Sequence, residues 1–536
     1  MLLTSLTLLT FGCASEPQSG AGQLVAGDAF DLSITPIYVA SQAAMIDEAT
    51  EIEVLVRNNG GDETTFALLQ GEDQAYTNTE IRSLDDAEVF LIGRNQNGVI
   101  FHGRSEPITL SSGAASVYIF VARDGEPLTL PELDAPAAMG STHALGNGRY
   151  LSIGGSREGS RVQNPMSDVT IFDMRRLGLG DSTETLNSSV HAGTTDGWTG
   201  HTATQLTDGR ILIAGGAQQL TNVSGDLAGQ SSATTRASVL DPSADTVIAV
   251  DALSHGRFGH QATLGPDDTV VVTGGFAARD TGVAVVAFAE LYDVNAAAWT
   301  VSDDVLYTGG VFHAQARLGD EGVLVCGGMD ASFTPSSECQ LILPDGSIRS
   351  APDLSEPLLH AQLTDLGDGR ALLTGGLLTP DPVGALTLDS NLNATSAAWV
   401  LDDTTWRPVG SMSIPRALHS AQRTSDGRVV IAGGVARIDS TSSRAGQAYG
   451  GLLYDAADAL PCVEVFDPAT ESFTALSACG PGSASGTIPS PVALPGIAHD
   501  SVFGTLIAGG LTPDPRQSSV QRTLLYPRFA DRDQVE

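Results

Sequence analysis

Residues 201–216 read HTATQLTDGRILIAGG, and this stretch decides the fold because it has the pattern of one complete β-hairpin. A run of alternating polar and apolar residues leads to an Asp-Gly turn at Asp208 and Gly209, which is followed by the apolar run Ile211 to Ala214 and two glycines. Asp-Gly between two such runs is a strong signal for a tight turn, because glycine adopts the positive φ that the turn requires. The stretch therefore predicts two short antiparallel strands.

The same pattern recurs along the chain. Variants are HQATLGPDDTVVVTGG from His260, HAQARLGDEGVLVCGG from His313, HAQLTDLGDGRALLTGG from His360 and HSAQRTSDGRVVIAGG from His419. With two weaker copies, seven glycine pairs begin at residues 154, 215, 274, 327, 375, 433 and 509, which indicates a repeat architecture. We assign a structural role in the repeat to Gly215, Gly216, Gly274, Gly275, Gly327, Gly328, Gly375, Gly376, Gly433, Gly434, Gly509 and Gly510.

Composition limits the classes of partner. The 536 residues are 42% hydrophobic, enough for more than one core. The net charge of −36 argues against nucleic acid or an anionic lipid surface as a partner, because phosphates would be repelled. All 27 basic residues are arginine. A lysine-free acidic surface is typical of proteins kept soluble in high salt, and a GC-rich genome produces the same bias.

The first residues, MLLTSLTLLTFGCASEPQSGAG, form a short apolar run that ends at Gly12 and Cys13. The run is too short to span a bilayer and has the pattern of a signal peptide. Cysteine after glycine resembles the lipobox of bacterial lipoproteins, in which this cysteine becomes the lipid-bearing N-terminus. The resemblance implies lipidation at Cys13 and a place at the outer membrane or cell surface, with the periplasm as the alternative. An ordinary cleaved signal, with Cys13 discarded, is the alternative for the segment itself.

The remaining four cysteines favour export. Cys326 and Cys339 fall on strands expected to lie side by side, and so do Cys462 and Cys479. Neighbouring antiparallel strands place Cα atoms within disulfide range, so we predict the disulfides Cys326–Cys339 and Cys462–Cys479. A four-cysteine zinc site is disfavoured because no CxxC spacing occurs.

The chain divides into two folding units. Short apolar runs at 52–58, 89–103 and 116–123 lack the glycine pairs, and Asn97-Gly98 predicts a hairpin within 89–103, between its two apolar halves. In pattern they are similar to the immunoglobulin-like β-sandwiches that precede larger domains on bacterial surface proteins. The predicted organisation is a signal peptide and linker at 1–21, a sandwich at 22–125, the repeats at 126–529 and a tail at 530–536.

After each glycine pair comes a third strand that ends in aspartate, then a fourth strand. Examples are ASVLDPSADTV at 237–247, AELYDVNAAAW at 289–299 and VEVFDPATESF at 463–473. This order resembles the kelch repeat, whose units each build one four-stranded blade of a β-propeller. The resemblance implies an all-β fold with seven blades. The last repeat lacks residues for a fourth strand, so we predict that Glu126 to Leu133 completes it and closes the ring.

Histidines recur beside the glycine pairs. His201, His260, His313 and His419 each lie 14 residues before a pair, and His360 lies 15 before. Recurrence in nearly every repeat favours a structural role, such as hydrogen bonding to backbone between blades. A ring of histidines binding a metal is the alternative, although His143 and His499 fall outside the register.

Function is expected where the repeats differ. The second-to-third connections at 217–235, 377–395 and 435–461 are long, and the fold places them on one side, where we expect ligand binding. TPDP occurs at 379–382 and again at 512–515, which indicates turns.

Two classes of function remain. The first is an exported scaffold that binds a protein or glycan, with no cofactor and no catalytic or metal-binding residues assigned. The second is an envelope enzyme that acts on carbohydrate or resembles galactose oxidase, a copper radical oxidase of the same fold. That family needs a Tyr-His pair and a cysteine-linked tyrosine, and no Tyr-His dipeptide occurs here. Sialidase Asp boxes, HExxH and phosphate loops are also missing.

Overall fold

A computed structural model describes residues 30–38, 42, 44–57, 63–69, 84–110, 113–123, 128–129, 140–158, 163–165, 169–174, 183–186, 199–220, 231–279, 282–306, 310–379, 392–402, 404–438, 460, 462–476, 494–501, 503–510 and 523–526. In these ranges the protein is nearly all β, with one short α-helix, Ala44–Glu48, and a 3-10 helix, Pro266–Asp268. No helix of the described part is long and apolar enough to cross a bilayer. Cys13 and the predicted signal peptide lie outside the described residues.

The first folding unit is a seven-stranded sheet, called the N-terminal sheet below. Its strands are Phe30–Ile37, Glu51–Arg57, Glu63–Leu69, Leu84–Asn95, Gly98–Arg104, Ile108–Leu110 and Gly113–Arg123. The predicted Asn97-Gly98 hairpin joins Leu84–Asn95 to Gly98–Arg104. The first and last strands pair in parallel, with Phe30 opposite Gly113. Periodicity does not reveal this pairing, because it identifies the faces of a strand but not its neighbour.

The last strand of the N-terminal sheet packs on both faces. Val117, Ile119 and Val121 belong to the core of this sheet, which the helix residue Met45 joins. Phe120 points the other way, because successive side chains of a strand lie on opposite faces, and it packs against the repeat region. The described strands form one sheet, so the predicted sandwich of two packed sheets is not confirmed.

The repeat region forms four-stranded antiparallel sheets. Within the described residues, seven of them share one order, in which the first strand pairs with the second, the second with the third and the third with the fourth, and we number them 1 to 7. The strands are Ser141–Gly146, Arg149–Ile153, Val169–Asp173 and Thr183–Leu186 in sheet 1; Thr202–Gln205, Ile211–Ala214, Ala237–Asp241 and Thr246–Ala249 in sheet 2; Gln261–Leu264, Thr269–Thr273, Ala289–Asp293 and Ala298–Val301 in sheet 3; and Ala314–Leu318, Gly322–Cys326, Cys339–Ile342 and Ile348–Ala351 in sheet 4.

The remaining three sheets follow the same plan. Their strands are Gln362–Asp365, Ala371–Thr374, Ala398–Asp402 and Thr405–Pro408 in sheet 5; Ser420–Arg423, Val429–Ala432, Val463–Asp467 and Ser472–Ala475 in sheet 6; and Gly496–Asp500, Gly504–Ala508 and Thr523–Tyr526 in sheet 7. The fourth strand of sheet 7 is Leu128–Thr129, from before sheet 1. This strand lies within Glu126 to Leu133, the segment that the sequence analysis selected.

Burial falls from the second strand to the fourth. In sheet 2 the second strand, Ile211–Ala214, is buried along its whole length, whereas the fourth strand reaches the surface at Ile248. A strand buried on both faces needs a covering layer on each side, and neighbouring sheets of the repeat supply both layers. The first strands contact one another in order from sheet 1 to sheet 7, and that of sheet 7 also contacts that of sheet 1.

The recurring aspartates stabilise turns. Asp293 Oδ1 accepts hydrogen bonds from the backbone N–H groups of Asn295 and Ala296, at 2.8 and 2.9 Å. Asp241 and Asp467 make the same kind of contact after the third strands of sheets 2 and 6. The carboxylates therefore replace backbone acceptors at the turn into the fourth strand, which is a structural role.

Short extra strands lie in the second-to-third connections. They are Ser156–Glu158 with Gln163–Pro165, Ala217–Leu220 with Ser231–Ala233, and Phe276–Arg279 with Gly282–Val285. A further sheet joins three strands of these connections, Leu377–Leu378, Leu392–Ala394 and Arg437–Ile438, to Leu358–Leu359, which lies in the link between sheets 4 and 5. The side of the repeat region that carries these strands is called the loop face below. The side that carries the first-to-second turns is called the turn face.

Candidate functional site

The glycine pairs allow neighbouring sheets to approach closely. Gly215 has φ +64, and a Cβ there would lie 2.6 Å from both the carbonyl oxygen of Arg257 and the imidazole of His260. Gly216 has φ +97, and its Cβ would lie 3.0 Å from the Cβ of His201. A side chain at Gly215 would crowd the next sheet and one at Gly216 would crowd the segment that leads into the first strand of its own sheet, so glycine is required for both conformation and space. The first glycine likewise contacts the next sheet at Gly327 and Gly375. The second contacts the segment that leads into its own first strand at Gly275, Gly328, Gly376 and Gly434.

Three of the recurring histidines connect neighbouring sheets. His260 Nε2 shares a hydrogen bond of 2.9 Å with Thr202 Oγ1 of sheet 2. His313 and His419 make the equivalent bonds to the preceding sheet, with Thr273 at 2.8 Å and Thr374 at 2.9 Å. The predicted structural role is therefore a hydrogen bond between sheets, and in all three cases the partner is a threonine hydroxyl.

Burial keeps these imidazoles neutral. It lowers the pKa of His313 to about 3 and the pKa of His201 to about 4. The pKa values of His260 and His419 also fall well below the usual range, chiefly through burial and then through the nearby Arg257 and Arg416. A neutral imidazole bonded to a hydroxyl stabilises the contact between sheets without a buried charge.

His360 does not belong to this set, although the sequence pattern grouped it there. The residue directly before the first strand is the histidine in sheets 2, 3, 4 and 6, but in sheet 5 it is Ala361. His360 lies one residue earlier and has φ +55, a conformation that Phe312 and Leu418 share in sheets 4 and 6. Its ring packs on Phe312 at a centroid distance of 4.4 Å. The extra residue in its spacing, 15 rather than 14, was the signal for this difference.

Two buried ion pairs were not predicted from the sequence. Arg257 donates to Glu290 at 2.5 Å and to the carbonyl of Gly274 at 3.1 Å, and the side chains of both ion-pair partners are fully buried. Arg416 and Glu464 form the same pair in sheet 6. The signal was an arginine three residues before the histidine, as in RFGH and RALH, with a glutamate second in the third strand. These charged side chains are buried within the sheets. Each arginine bonds the glutamate of the third strand and the first glycine of the pair in the same sheet, and so connects the two.

Apolar side chains converge on the loop face. This central cluster contains Ala217, Phe258, Phe276, Val311, Phe312, Met329, Leu359, Leu377, Leu392, Ala394, Ala417, Leu418 and Val435. Its members come from sheets 2 to 6, mostly just after a glycine pair or just before a first strand. The cluster forms a packed base beneath the second-to-third connections.

Backbone bonds tie this base together near the first strands. The N–H of His360 donates to the carbonyl of Phe312 at 2.8 Å, and the N–H of Leu418 donates to His360 at 3.2 Å. The N–H of Leu494 donates in turn to Leu418 at 2.8 Å. A series of backbone hydrogen bonds thus links sheets 4, 5, 6 and 7. These bonds make the base rigid.

The predicted binding loops are described only in part. Residues 221–230, 380–391 and 439–459 lie outside the described residues, as does the second TPDP at 512–515. The described ends of each connection are anchored. For example, Leu460 donates its N–H to the carbonyl of Gly434 at 2.9 Å.

A polar cleft lies on the turn face, where sequence analysis placed no site. It has a volume of about 460 Å³ and is lined by Glu106, Pro107, Ala144, Gly146, Asn147, His499, Asp500 and Ser501. Burial lowers the pKa of His499 to about 4, and its two ring nitrogens bond to Thr505 at 2.9 Å and Ser425 at 3.3 Å. Asp500 accepts the backbone N–H groups of Gly148 and Phe503, at 3.3 and 2.8 Å. The inner polar groups of the cleft are therefore bonded to the protein itself.

The predicted disulfide Cys326–Cys339 is confirmed. The two residues are directly opposite in the second and third strands of sheet 4, with Cα atoms 4.2 Å apart. Cys462 is also disulfide-bonded. Its predicted partner, Cys479, lies outside the described residues, so that pairing stays a prediction.

The overall fold is similar to that of β-propeller-type proteins. One is a fungal alcohol oxidase of the AA5 family in complex with copper, with 15% identity, a TM-score of 0.52 and coverage of 76% of this chain and 78% of that one. A second solved structure, that of YjhT, has 13% identity and a TM-score of 0.42, with 65% of this chain and 99% of that chain covered. No protein-family model and no curated protein matches the chain. At these identities the likeness concerns the fold alone.

The described residues do not fit the copper site of such an oxidase. In the ranges that the structure describes, no group of three or more His, Cys, Asp or Glu side chains is arranged to hold a metal. Three cysteines of this part, Cys326, Cys339 and Cys462, are already disulfide-bonded and have no thiol to link to tyrosine.

Proposed function

We propose that the protein is an exported seven-bladed β-propeller whose loop face binds a protein or glycan partner. The N-terminal residues and the disulfides support export, because disulfides persist in oxidising compartments. In this proposal Cys13 carries a lipid that provides the sole attachment to the membrane. Nucleic acid is not among the proposed partners, because the negative net charge of the protein would repel its phosphates.

Three features support the closed ring of blades. The seven numbered sheets of the described region share one strand order, and their first strands contact one another in sequence. The first strand of sheet 7 contacts that of sheet 1. Leu128–Thr129 pairs with Thr523–Tyr526, which joins the start of the repeat region to its end. A ring of this kind removes the exposed edge faces that a row of seven sheets would leave.

One observation carries the binding proposal: the two faces of the repeat region differ in how much they vary. First-to-second turns are short throughout, as in the segments 147–148 and 206–210. Second-to-third connections range from the 12 residues between Cys326 and Cys339 to the 30 residues between Ala432 and Val463. Variable segments on a rigid base are the usual arrangement of a binding surface, and the central cluster is such a base.

By contrast, the buried polar side chains that a catalytic site would need are already bonded to partners within the sheets. The recurring histidines are neutral and three are bonded to threonines, while the two buried arginines are paired with glutamates. Perturbed groups of this kind also occur in structural networks, and here they repeat from sheet to sheet. The repetition favours a scaffold over an enzyme.

The test is a binding screen of the soluble chain from about Gly22, with metal analysis on the same sample. We expect binding to a glycan or to an isolated envelope protein, without stoichiometric metal. Stoichiometric copper together with oxidation of alcohols would overturn the proposal and establish the oxidase alternative.

A further inference from the structure

The joint between sheets 1 and 7 is called the seam below, because it joins the two ends of the repeat region. Beside it, the fourth strand of sheet 7 comes from before sheet 1, and within the described residues it pairs with the third strand through Leu128 and Thr129. In sheet 3, by comparison, four residue pairs join the third strand, Ala289–Asp293, to the fourth. In the part of the chain that the structure describes, the strand that closes the ring thus forms two residue pairs where the fourth strand of sheet 3 forms four.

The seam also lacks the histidine that connects sheet 3 to sheet 2, sheet 4 to sheet 3 and sheet 6 to sheet 5. The residue directly before the first strand of sheet 1 is Gly140, which has no side chain to reach the preceding sheet. Other contacts replace it: Tyr150 donates its hydroxyl to the carbonyl of Gly504 at 2.8 Å, and Gly148 donates its N–H to Asp500 at 3.3 Å. These contacts lie near the turn face, beside the N-terminal sheet.

The N-terminal sheet packs on this joint. Phe120 and Ala122 of its last strand share one apolar cluster with residues of sheets 1 and 7, namely Tyr150, Phe172, Met174, Ala498, Phe503, Leu506 and Ala508. The rings of Phe120 and Phe503 are 5.7 Å apart. Burial of a phenylalanine side chain removes a large apolar surface from water and so stabilises such a contact. One face of the sheet thus covers both sides of the seam.

Polar groups fix the same contact. Arg104 of the N-terminal sheet donates Nη2 to the carbonyl of Ser501 in sheet 7, while its Nη1 pairs with Glu88 at 3.0 Å. Asn147, in the first turn of sheet 1, faces both carboxylate oxygens of Glu106 with its side-chain amide. The N-terminal sheet therefore holds sheet 7 through one contact and sheet 1 through the other.

We propose that the N-terminal sheet is a clasp that holds the seam closed, so that detaching this sheet and opening the ring are one coupled event. The role rests on the closed ring of the proposed function. It implies that the first folding unit is part of the machinery that keeps the propeller intact, rather than a separate module carried in front of it.

Hydrogen exchange on the full chain tests the clasp. Phe120→Ala removes the ring that contacts the seam but belongs to no core of the N-terminal sheet itself. We expect amide exchange at least tenfold faster in Ser141–Ile153 and Gly496–Ala508, with exchange in Ile211–Ala214 of sheet 2 unchanged. Phe473→Ala is the matched control, because this ring packs on Phe466 in sheet 6, away from the seam. It should leave exchange at the seam unaltered.

Arg104→Gln is a second variant that keeps the apolar contact and removes the charged one. It should accelerate exchange at the same two segments by a smaller factor. Unchanged exchange at the seam in both variants, or an equal increase in all seven sheets, would overturn the clasp. Fast exchange at Thr523–Tyr526 in the unaltered protein would instead show that the ring is open, which separates failure of the ring from failure of the clasp.

Discussion

At the scale of single residues, the polar groups that repeat along this chain hold sheets together. The imidazoles of His260, His313 and His419 bridge to hydroxyls of the preceding sheet. Arg257 and Arg416 pair with buried glutamates within their own sheets. Because each group is buried with its partner, a change in charge or size at these positions should alter stability before it alters binding.

The histidines make stability depend on pH. An unfolded histidine takes up a proton below about pH 6.5, whereas buried His313 resists protonation down to about pH 3. The unfolded state therefore binds more protons in this window, and the free energy of unfolding falls as the pH falls, by about 1.4 kcal/mol per pH unit for each such histidine. Urea unfolding at pH 7 and pH 5 should show the loss, and His313→Asn should reduce it by about 2 kcal/mol. An identical loss in the variant would contradict this role.

The buried ion pair predicts an asymmetric pattern of mutational effects. Arg257→Met should lower the free energy of unfolding by about 3–5 kcal/mol, because Glu290 is left buried without its partner. The double variant Arg257→Met with Glu290→Leu should recover most of that loss, since no unpaired charge remains. Urea denaturation of the two single variants and the double variant measures the coupling. Additive losses would show that the two side chains act independently.

At the scale of elements, the unit of this structure is a strand pair that ends in two glycines. Gly275 has φ +91, and a Cβ there would lie 2.8 Å from the Cβ of His260 and 2.9 Å from the carbonyl oxygen of Phe258. Gly209, in the hairpin turn of sheet 2, has φ +85 but nothing within 4 Å of its Cβ. A side chain at Gly209 would therefore meet only the unfavourable φ, whereas a side chain at Gly275 would meet both an unfavourable φ and close neighbouring atoms.

Alanine at these two positions should have unequal effects. Gly209→Ala pays only for the left-handed conformation, about 1 kcal/mol, whereas Gly275→Ala should cost more than about 2 kcal/mol because neighbouring backbone must also move. Chemical denaturation of both variants at one pH gives the comparison. Equal costs would mean that the second glycine of the pair is required for its φ alone.

Much of the repeat region could be predicted at this scale, and some of it could not. The hairpins, the glycine pairs, the disulfide in sheet 4 and the segment that pairs with the last repeat follow from local patterns and from counting strands. The position of His360 and the pairing of Arg257 with Glu290 depend on which residues meet across a joint or a sheet. The parallel pair of Phe30 and Gly113 depends on long-range topology, which periodicity does not encode.

At the scale of the whole molecule, the two faces of the repeat region have different tasks in this account. The turns on the turn face are short and uniform. The N-terminal sheet covers part of this face, through contacts such as Phe120 with Phe503. The loop face carries the connections that vary, above a base of packed apolar residues. Replacing such connections should leave the fold intact, because the entropy of loop closure changes by only about 0.6 kcal/mol for each doubling of length.

The most direct measurement is partner binding by a chain in which residues 221–230 and 439–459 are replaced by short Gly-Ser linkers. The account predicts an almost unchanged melting temperature together with loss of binding to the glycan or protein recovered in the screen. The control carries a Gly-Ser insertion at Asp320, in a turn-face segment of sheet 4, and should bind as the unaltered protein does. Full binding by the folded loop variant would contradict the central claim and move the site to the turn face or to the N-terminal sheet.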